Sequence, residues 1–341
     1  MYQIPGYSIA IAIIAIMLAI SGIIIGIGMA MDDKKLKEFG RSELYQSVIN
    51  GIIVGSLIAI FAQNGIIYNI EYNMVANMSN ITCSGIYASN YAICFANQFL
   101  VGTIPMQING QLMPTVLDSI IAMITPLTAI YGILSSISSI TISIVVLSIN
   151  LSTVLQPLIG QIDYAIEALT FSMLSIEVQS IILQFIATTA LTVLMPIGIV
   201  LRSFYFTRRL GGAILAITIA LFTILPMSYL LDAQLMYNYS NGQYNSMSSI
   251  TSLANSLQGN VNGVVTNNNI SKTALLSVEN SISNFMQNAE STMTSMWIAI
   301  STIIVEAFFL PIFSLILTII SARELARIMG SEISFSRFDI M

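Results

Sequence analysis

The stretch Ser8–Met31, SIAIAIIAIMLAISGIIIGIGMAM, holds no charged side chain and runs directly into Asp32-Asp33-Lys34-Lys35-Leu36-Lys37-Glu38-Phe39-Gly40-Arg41. Crossing ~30 Å of hydrocarbon takes about 20 apolar residues as helix, and the stretch is long enough to do so. In lipid every backbone N–H and C=O must be paired within the segment, which selects helix for a continuous run of this kind. A secretory leader would carry its basic residues ahead of a shorter apolar core. Here the basic cluster follows the span. The positive-inside bias then puts the N-terminus outside and residues 32–47 in the cytoplasm.

The same reading extends along the chain. Of 341 residues, 56% are hydrophobic and 8% charged, against roughly 25% charged in soluble domains. The apolar runs are continuous, unlike the alternating strands of an outer-membrane barrel. The expected fold is all-α: a polytopic membrane helix bundle of five to seven spans, N-terminus outside and C-terminus cytoplasmic, with an outer helical hairpin. Residues 1–68 hold the first two spans, the second at Val48–Tyr68, around a basic cytoplasmic loop. Residues 69–114 form an Asn-rich outer loop. Residues 115–231 hold central spans, Val178–Leu201 and Gly211–Leu231 among them, around the basic loop 202–209. Residues 232–294 form the outer hairpin, and 295–341 the last span, Met296–Ile320, and a cytoplasmic tail.

Parity constrains the middle of the chain. A chain outside near 114 and inside at 202 makes an odd number of crossings between them. The apolar stretch Thr115–Ile149 therefore goes in and returns as a tight hairpin, giving seven spans, or is re-entrant or lies along the outer face, giving five. On this layout Lys34, Lys35, Lys37, Arg41, Arg202, Arg208, Arg209, Arg323, Arg327 and Arg337 all fall inside, and Lys272 alone falls outside.

The outer segments carry further signals. Cys83 and Cys94 share the 69–114 loop, and two cysteines in oxidising surroundings read as a disulfide, worth ~3 kcal/mol for a loop of this size. Asn77, Asn80, Asn150, Asn238 and Asn269 head Asn-x-Ser/Thr triplets, candidate glycosylation sites. Ile250, Leu253 and Leu257, then Leu275, Val278, Ile282, Phe285 and Ala289, recur three and four apart, the seams of two amphipathic helices. Turn-forming Gly259–Gly263 and Asn267–Asn269 separate them.

The chain has no histidine, which removes Ser–His and Cys–His pairs and imidazole metal sites together. No P-loop, dinucleotide turn or zinc pattern is present, so the chain is read as a non-enzyme without catalytic, cofactor or metal residues. Gly22 with Gly26, and Gly51 with Gly55, form small-xxx-small pairs on the first two spans, candidates for close packing of spans or of subunits. Glu306 lies deep in the last span, where a charge is expensive and functional by default. It could line an aqueous path or carry a proton, or be bonded to a neighbouring helix through Gln63, Asn64 or Ser135. Pro126, Pro196, Pro226 and Pro311 should bend their spans. The basic runs 34–41 and 202–209 are sufficiently explained as topology-setting charge, and could also bind anionic membrane lipid, a cytoplasmic protein or nucleic acid.

Two segments carry a family resemblance. Leu201-Arg202-Ser203-Phe204-Tyr205-Phe206-Thr207-Arg208-Arg209-Leu210-Gly211-Gly212 ahead of an apolar span, and the tail Arg323-Glu324-Leu325-Ala326-Arg327-Ile328-Met329-Gly330, resemble archaeal relatives of the polytopic inner-membrane subunit of type IV secretion systems. Together with the layout, they make the chain similar to CedA-type membrane proteins of the crenarchaeal DNA-import system. The resemblance implies an oligomeric channel subunit of a DNA-import or translocation apparatus, a glycosylated archaeal plasma-membrane protein with DNA as cargo. It further implies small two-helix membrane proteins and a cytoplasmic HerA-type (CedB-like) ATPase as partners. No catalytic residue carries over. Two other classes fit the residues alone: a small-solute or ion transporter, from Glu306 and the bent spans, and a structural anchor for a pilus or surface layer.

Overall fold

A computed structural model describes residues 5–61, 65–79, 81, 83, 85–87, 90–102, 106–108, 111–138, 141–144, 147–204, 206–236, 251, 255, 294 and 296–330. The seams expected of the 232–294 hairpin, and Asn80, Asn238, Asn269, Lys272 and Arg337, lie outside the described residues.

Helices α1 (Pro5–Ala30) and α2 (Lys34–Phe61) pack against each other as a hairpin. The charged cluster that ends the first apolar run also makes its turn. Asp32 takes a positive φ of 50°, a conformation that acidic and amide residues tolerate better than most. Asp33 Oδ1 accepts from the backbone N–H of Lys35 at 2.9 Å and so caps α2. Helix α3 (Ile66–Met78) follows, then α4 (Tyr91–Val101), whose N-cap Asn90 accepts from the Ile93 N–H at 2.6 Å. Ala92, Ile93, Phe95, Ala96, Phe99 and Leu100 of α4 are buried. Much of the expected 69–114 outer loop is thus helical, and α4 packs against a central helix of the bundle.

A short strand pair, β1 (Met106–Ile108) with β2 (Gln111–Met113), precedes α5 (Val116–Ser138). A second pair, β3 (Thr141–Ile144) with β4 (Leu147–Asn150), turns the chain into α6 (Leu151–Thr189). Helix α6 continues through a π-helical turn, Ala190–Leu194, into α7 (Met195–Ser203). Helices α8 (Arg208–Met236) and α9 (Met296–Ile328) complete the described bundle. The stretch Thr115–Ile149 is therefore one helix and a strand pair, and the tight two-span hairpin considered for it does not form. Among the described residues, six stretches are long and apolar enough to cross a membrane: Ile11–Ala30, Lys34–Ala76 (which takes in α2 and most of α3), Val116–Ser136, Gln156–Ser203, Arg208–Met236 and Met296–Ile328.

Three of the four prolines expected to bend spans do something more specific. Pro196, Pro226 and Pro311 each follow a π-turn: Ala190–Leu194, Ala220–Ile224 and Val305–Phe309. In each, the residue just before the proline donates its N–H five residues back: Met195 to Ala190, Leu225 to Ala220 and Leu310 to Val305. Proline has no N–H, and its ring presses on the carbonyl four residues earlier. Widening the turn relieves that pressure, but it leaves a carbonyl without its helical donor. In two cases another helix supplies one. The Phe222 carbonyl, four before Pro226, accepts from Asn90 Nδ2 at 3.0 Å. The Ala307 carbonyl, four before Pro311, accepts from Ser175 Oγ and Gln179 Nε2, both at 2.9 Å.

Polar contacts also set which ends of the helices meet. Arg208 Nη2 lies 3.3 Å from Glu43 Oε2. Arg202 donates through Nε to Asn50 Oδ1 at 3.2 Å and through Nη1 to the Met329 carbonyl at 2.8 Å. The start of α2, the α7–α8 turn and the end of α9 therefore share one end of the bundle. From Arg202 back to Gln179, or from Arg208 on to Tyr229, the helical rise is about 30–35 Å. At that level Tyr229 donates to Gln179 Oε1 at 3.1 Å, and Ser180 donates to Asn97 Oδ1 at 2.7 Å. Helix α6 extends roughly 40 Å farther, from Gln179 back to Leu151. Helix α5 packs against α6, joined to its start by the β3–β4 pair.

Candidate functional site

Several buried polar groups are linked where α6, α8 and α9 meet. Glu306 stands in the π-turn of α9 and is 6% exposed. Asp232, on α8, is 4% exposed and close enough for its charge to act on Glu306. Ser314, two helical turns after Glu306, donates to Asp232 Oδ2 at 3.1 Å. Tyr229 lies three residues before Asp232, hence on the same face of α8, and donates to Gln179. Gln179 donates in turn to the Ala307 carbonyl next to Glu306 and to Ser175 Oγ at 3.2 Å.

The local sequence explains this arrangement. Pro311 forces the π-turn, the turn frees the Ala307 carbonyl, and Ser175 and Gln179 on α6 hold it. That contact fixes the backbone on both sides of Glu306. Burial of a carboxylate is costly unless charge or hydrogen bonding compensates. Asp232 has the Ser314 hydroxyl, whereas no described residue donates a hydrogen bond to Glu306.

Of the partners expected for Glu306, one can be placed. Ser135 is exposed on α5, while Gln63 and Asn64 lie outside the described residues. Asp232, which the sequence assigns to the start of the outer segment, is the acidic neighbour, because α8 runs on to Met236 instead of ending at Leu231. The signal for it was present: Tyr229 and Asp232 are spaced for one helix face, and no helix-breaking residue separates them from the apolar run.

A second buried acid was not singled out by the sequence. Glu71 of α3 is 0% exposed. Its carboxylate lies beside the Tyr91 and Ala92 N–H groups and the Asn90 side chain, at the start of α4. Neither oxygen reaches a hydrogen bond of ordinary length. The favourable interaction of a carboxylate with a helix N-terminus is consistent with its place there.

The remaining expected site residues divide. Cys83 and Cys94 form a disulfide, with Cα atoms 6.0 Å apart. Asn77 lies in the last turn of α3, and Asn150 is the last residue of β4. Within the chain, the expected glycine pairs are not points of close helix approach. A β-carbon at Gly22, Gly26 or Gly55 would meet nothing within 4 Å, and at Gly51 only Ile14 Cγ2 at 3.8 Å. The close approaches occur elsewhere: a β-carbon at Gly28 would come within 2.8 Å of the Lys37 backbone nitrogen, and one at Gly211 would overlap the Arg202 backbone. Gly22, Gly26 and Gly55 are exposed and Gly51 is half-buried beside Ile14, whereas Gly28 and Gly211 sit where helices turn back on each other.

No protein-family model, characterised protein or solved structure matches the chain.

Proposed function

We propose that this chain is a channel subunit of a DNA-import or translocation apparatus in the plasma membrane, as the family resemblance implies, and that it makes five crossings. The observation that carries the reading is the meeting of Arg202, Arg208, Glu43, Asn50 and Met329 at one end of the bundle. The segments expected in the cytoplasm by charge are neighbours in space, although the argument from charge used no contact at all. From that rim, α1, α2, α6–α7, α8 and α9 each have the reach to cross ~30 Å of hydrocarbon.

On this reading α5 and the first half of α6 stand beyond the outer face, not in the membrane. Their position follows from the rise of α6, whose first half lies farther from the basic rim than a bilayer is thick. Asp163, Glu167 and Thr170, all exposed on this half of α6, suit water better than lipid. Five crossings leave the N-terminus outside and the tail with Arg323 and Arg327 inside. Small two-helix membrane proteins and a HerA-type ATPase are the expected partners, since the chain carries no nucleotide-binding loop of its own.

The test is genetic and biochemical. Deleting the gene should abolish DNA exchange between cells, and purification of the tagged chain from membranes should bring a HerA-type ATPase with it. Undiminished exchange in the deletion strain would refute the proposal.

A further inference from the structure

We propose that the turn between α7 and α8 docks on anionic phospholipid, with Phe204 and Phe206 seated in the headgroup layer and Arg202 and Arg209 paired with lipid phosphate. Residues 201–212 hold three arginines and no acid. Among the described residues, Arg208 has Glu43 as its ion partner, whereas Arg202 is held by two neutral acceptors, the Asn50 amide oxygen and the Met329 carbonyl. Arg209 is exposed. The turn therefore carries positive charge in excess of the one acid that meets it.

Charge alone would equally suit an acidic protein or a nucleic acid, and the placement of the turn favours lipid. Only residues 204–207 link α7 to α8. A β-carbon at Gly211 would overlap the Arg202 backbone, so the two helices run close together right up to the turn. Both belong to membrane-length apolar stretches, and exposed Leu210 stands within one helical turn of the link. At that level the nearest anions are headgroup phosphates, and a soluble partner would have to reach down to them. Phe206 is 95% exposed, and Phe204 is exposed beside it. In water two phenyl rings stay unburied, whereas in the headgroup layer they meet the edge of the hydrocarbon while neighbouring arginines meet phosphate. This inference rests on the crossings proposed above and not on the cargo.

The full chain would be reconstituted in nanodiscs of phosphatidylcholine with phosphatidylglycerol as the minor component, then extracted in mild detergent. Mass spectrometry would measure the lipid retained by each chain. The wild type should retain phosphatidylglycerol in preference to phosphatidylcholine, and the preference should fall as salt is raised. Arg209→Gln should reduce it about fivefold, Arg209→Lys should keep it, and Phe206→Ser should reduce retention of both lipids. These variants change exposed side chains only, which spares the packing of the bundle. Equal retention of the two lipids by the wild type would overturn the proposal. So would a preference unchanged in Arg209→Gln, or a retention unchanged in Phe206→Ser. Shielding of the Arg209→Cys thiol from maleimide by polyglutamate or a short DNA duplex, but not by phosphatidylglycerol, would assign the turn to a soluble partner and overturn it too. A lipid preference in a protein whose deletion leaves DNA exchange undiminished would retire the channel reading and leave the lipid surface standing.

Discussion

Asn90 Nδ2 donates to the carbonyl oxygen of Phe222 at 3.0 Å, joining residues 132 apart in the chain. The acceptor is the carbonyl that Pro226 deprives of its helical donor. The same Asn90 caps α4 through its Oδ1, so one side chain completes the ends of two structural defects, a helix start and a π-turn. Its removal leaves both the Phe222 carbonyl and the Ile93 N–H without these partners in a buried setting.

Asn90→Ala should therefore cost about 2 kcal/mol of stability, from a lost cap and an orphaned buried carbonyl. The cost should shrink in a Pro226→Ala background, where residue 226 regains an N–H that can reach the Phe222 carbonyl. A double-mutant cycle on unfolding in mixed micelles measures the coupling. Additive effects would show that the proline and the asparagine do not act on the same carbonyl.

The Glu43–Arg208 pair, with side chains 11% and 22% exposed, joins α2 to α8 at the basic rim. Arg208→Gln should lower stability by about 1 kcal/mol, more than a fully exposed pair and less than a fully buried one. Glu43→Arg combined with Arg208→Glu should be more stable than either single replacement. If the exchanged pair is the least stable of the three, the contact is not supporting the bundle.

Gly211→Ala should destabilise the chain by about 2 kcal/mol or more, because the new methyl group meets the Arg202 backbone and overpacking cannot be relieved by a rotamer. Gly22→Ala and Gly26→Ala, with open space at the β-carbon, should be neutral or slightly stabilising in detergent monomers, as alanine favours helix over glycine by up to about 1 kcal/mol. Unfolding midpoints of the three variants suffice to check the order.

Reduction of Cys83–Cys94, or replacement of both by serine, should cost about 3 kcal/mol in the chain-entropy account. The bridge closes a short loop, with a sequence separation of 11, that connects α3 to α4. Midpoints measured with and without reductant should differ in the wild type and coincide in the double serine variant.

The two native cysteines are bonded to each other, so a single introduced thiol reports its own location. Thr170→Cys should react with an impermeant maleimide added outside intact cells, and Arg209→Cys only after the membrane is opened. Labelling of both from outside, or of neither, is incompatible with five crossings and an external α5–α6 pair.

The apolar runs, the basic segments and the cysteine pair were all readable from residues in order, because each depends on composition within a short window. The prolines marked where helices would depart from regularity, but not how. Bending and bulging answer the same steric conflict, and the choice rests on whether another helix brings a donor to the freed carbonyl. Thr115–Ile149 was ambiguous for a related reason. An apolar helix packed on α6 and one packed against lipid have the same composition. Only the length of α6 and the β3–β4 connection separate the two.

Residue order alone determined that this is a helical chain with membrane-length apolar segments and basic groups gathered in a few turns. Those properties follow from hydrophobicity and charge, which need no partner. Tertiary structure decided that Asn90 serves Phe222, that Gln179 serves Ala307, and that Ser314 serves Asp232. Each of these is a contact between distant residues, and pairing of buried polar groups depends on where packed helices bring them.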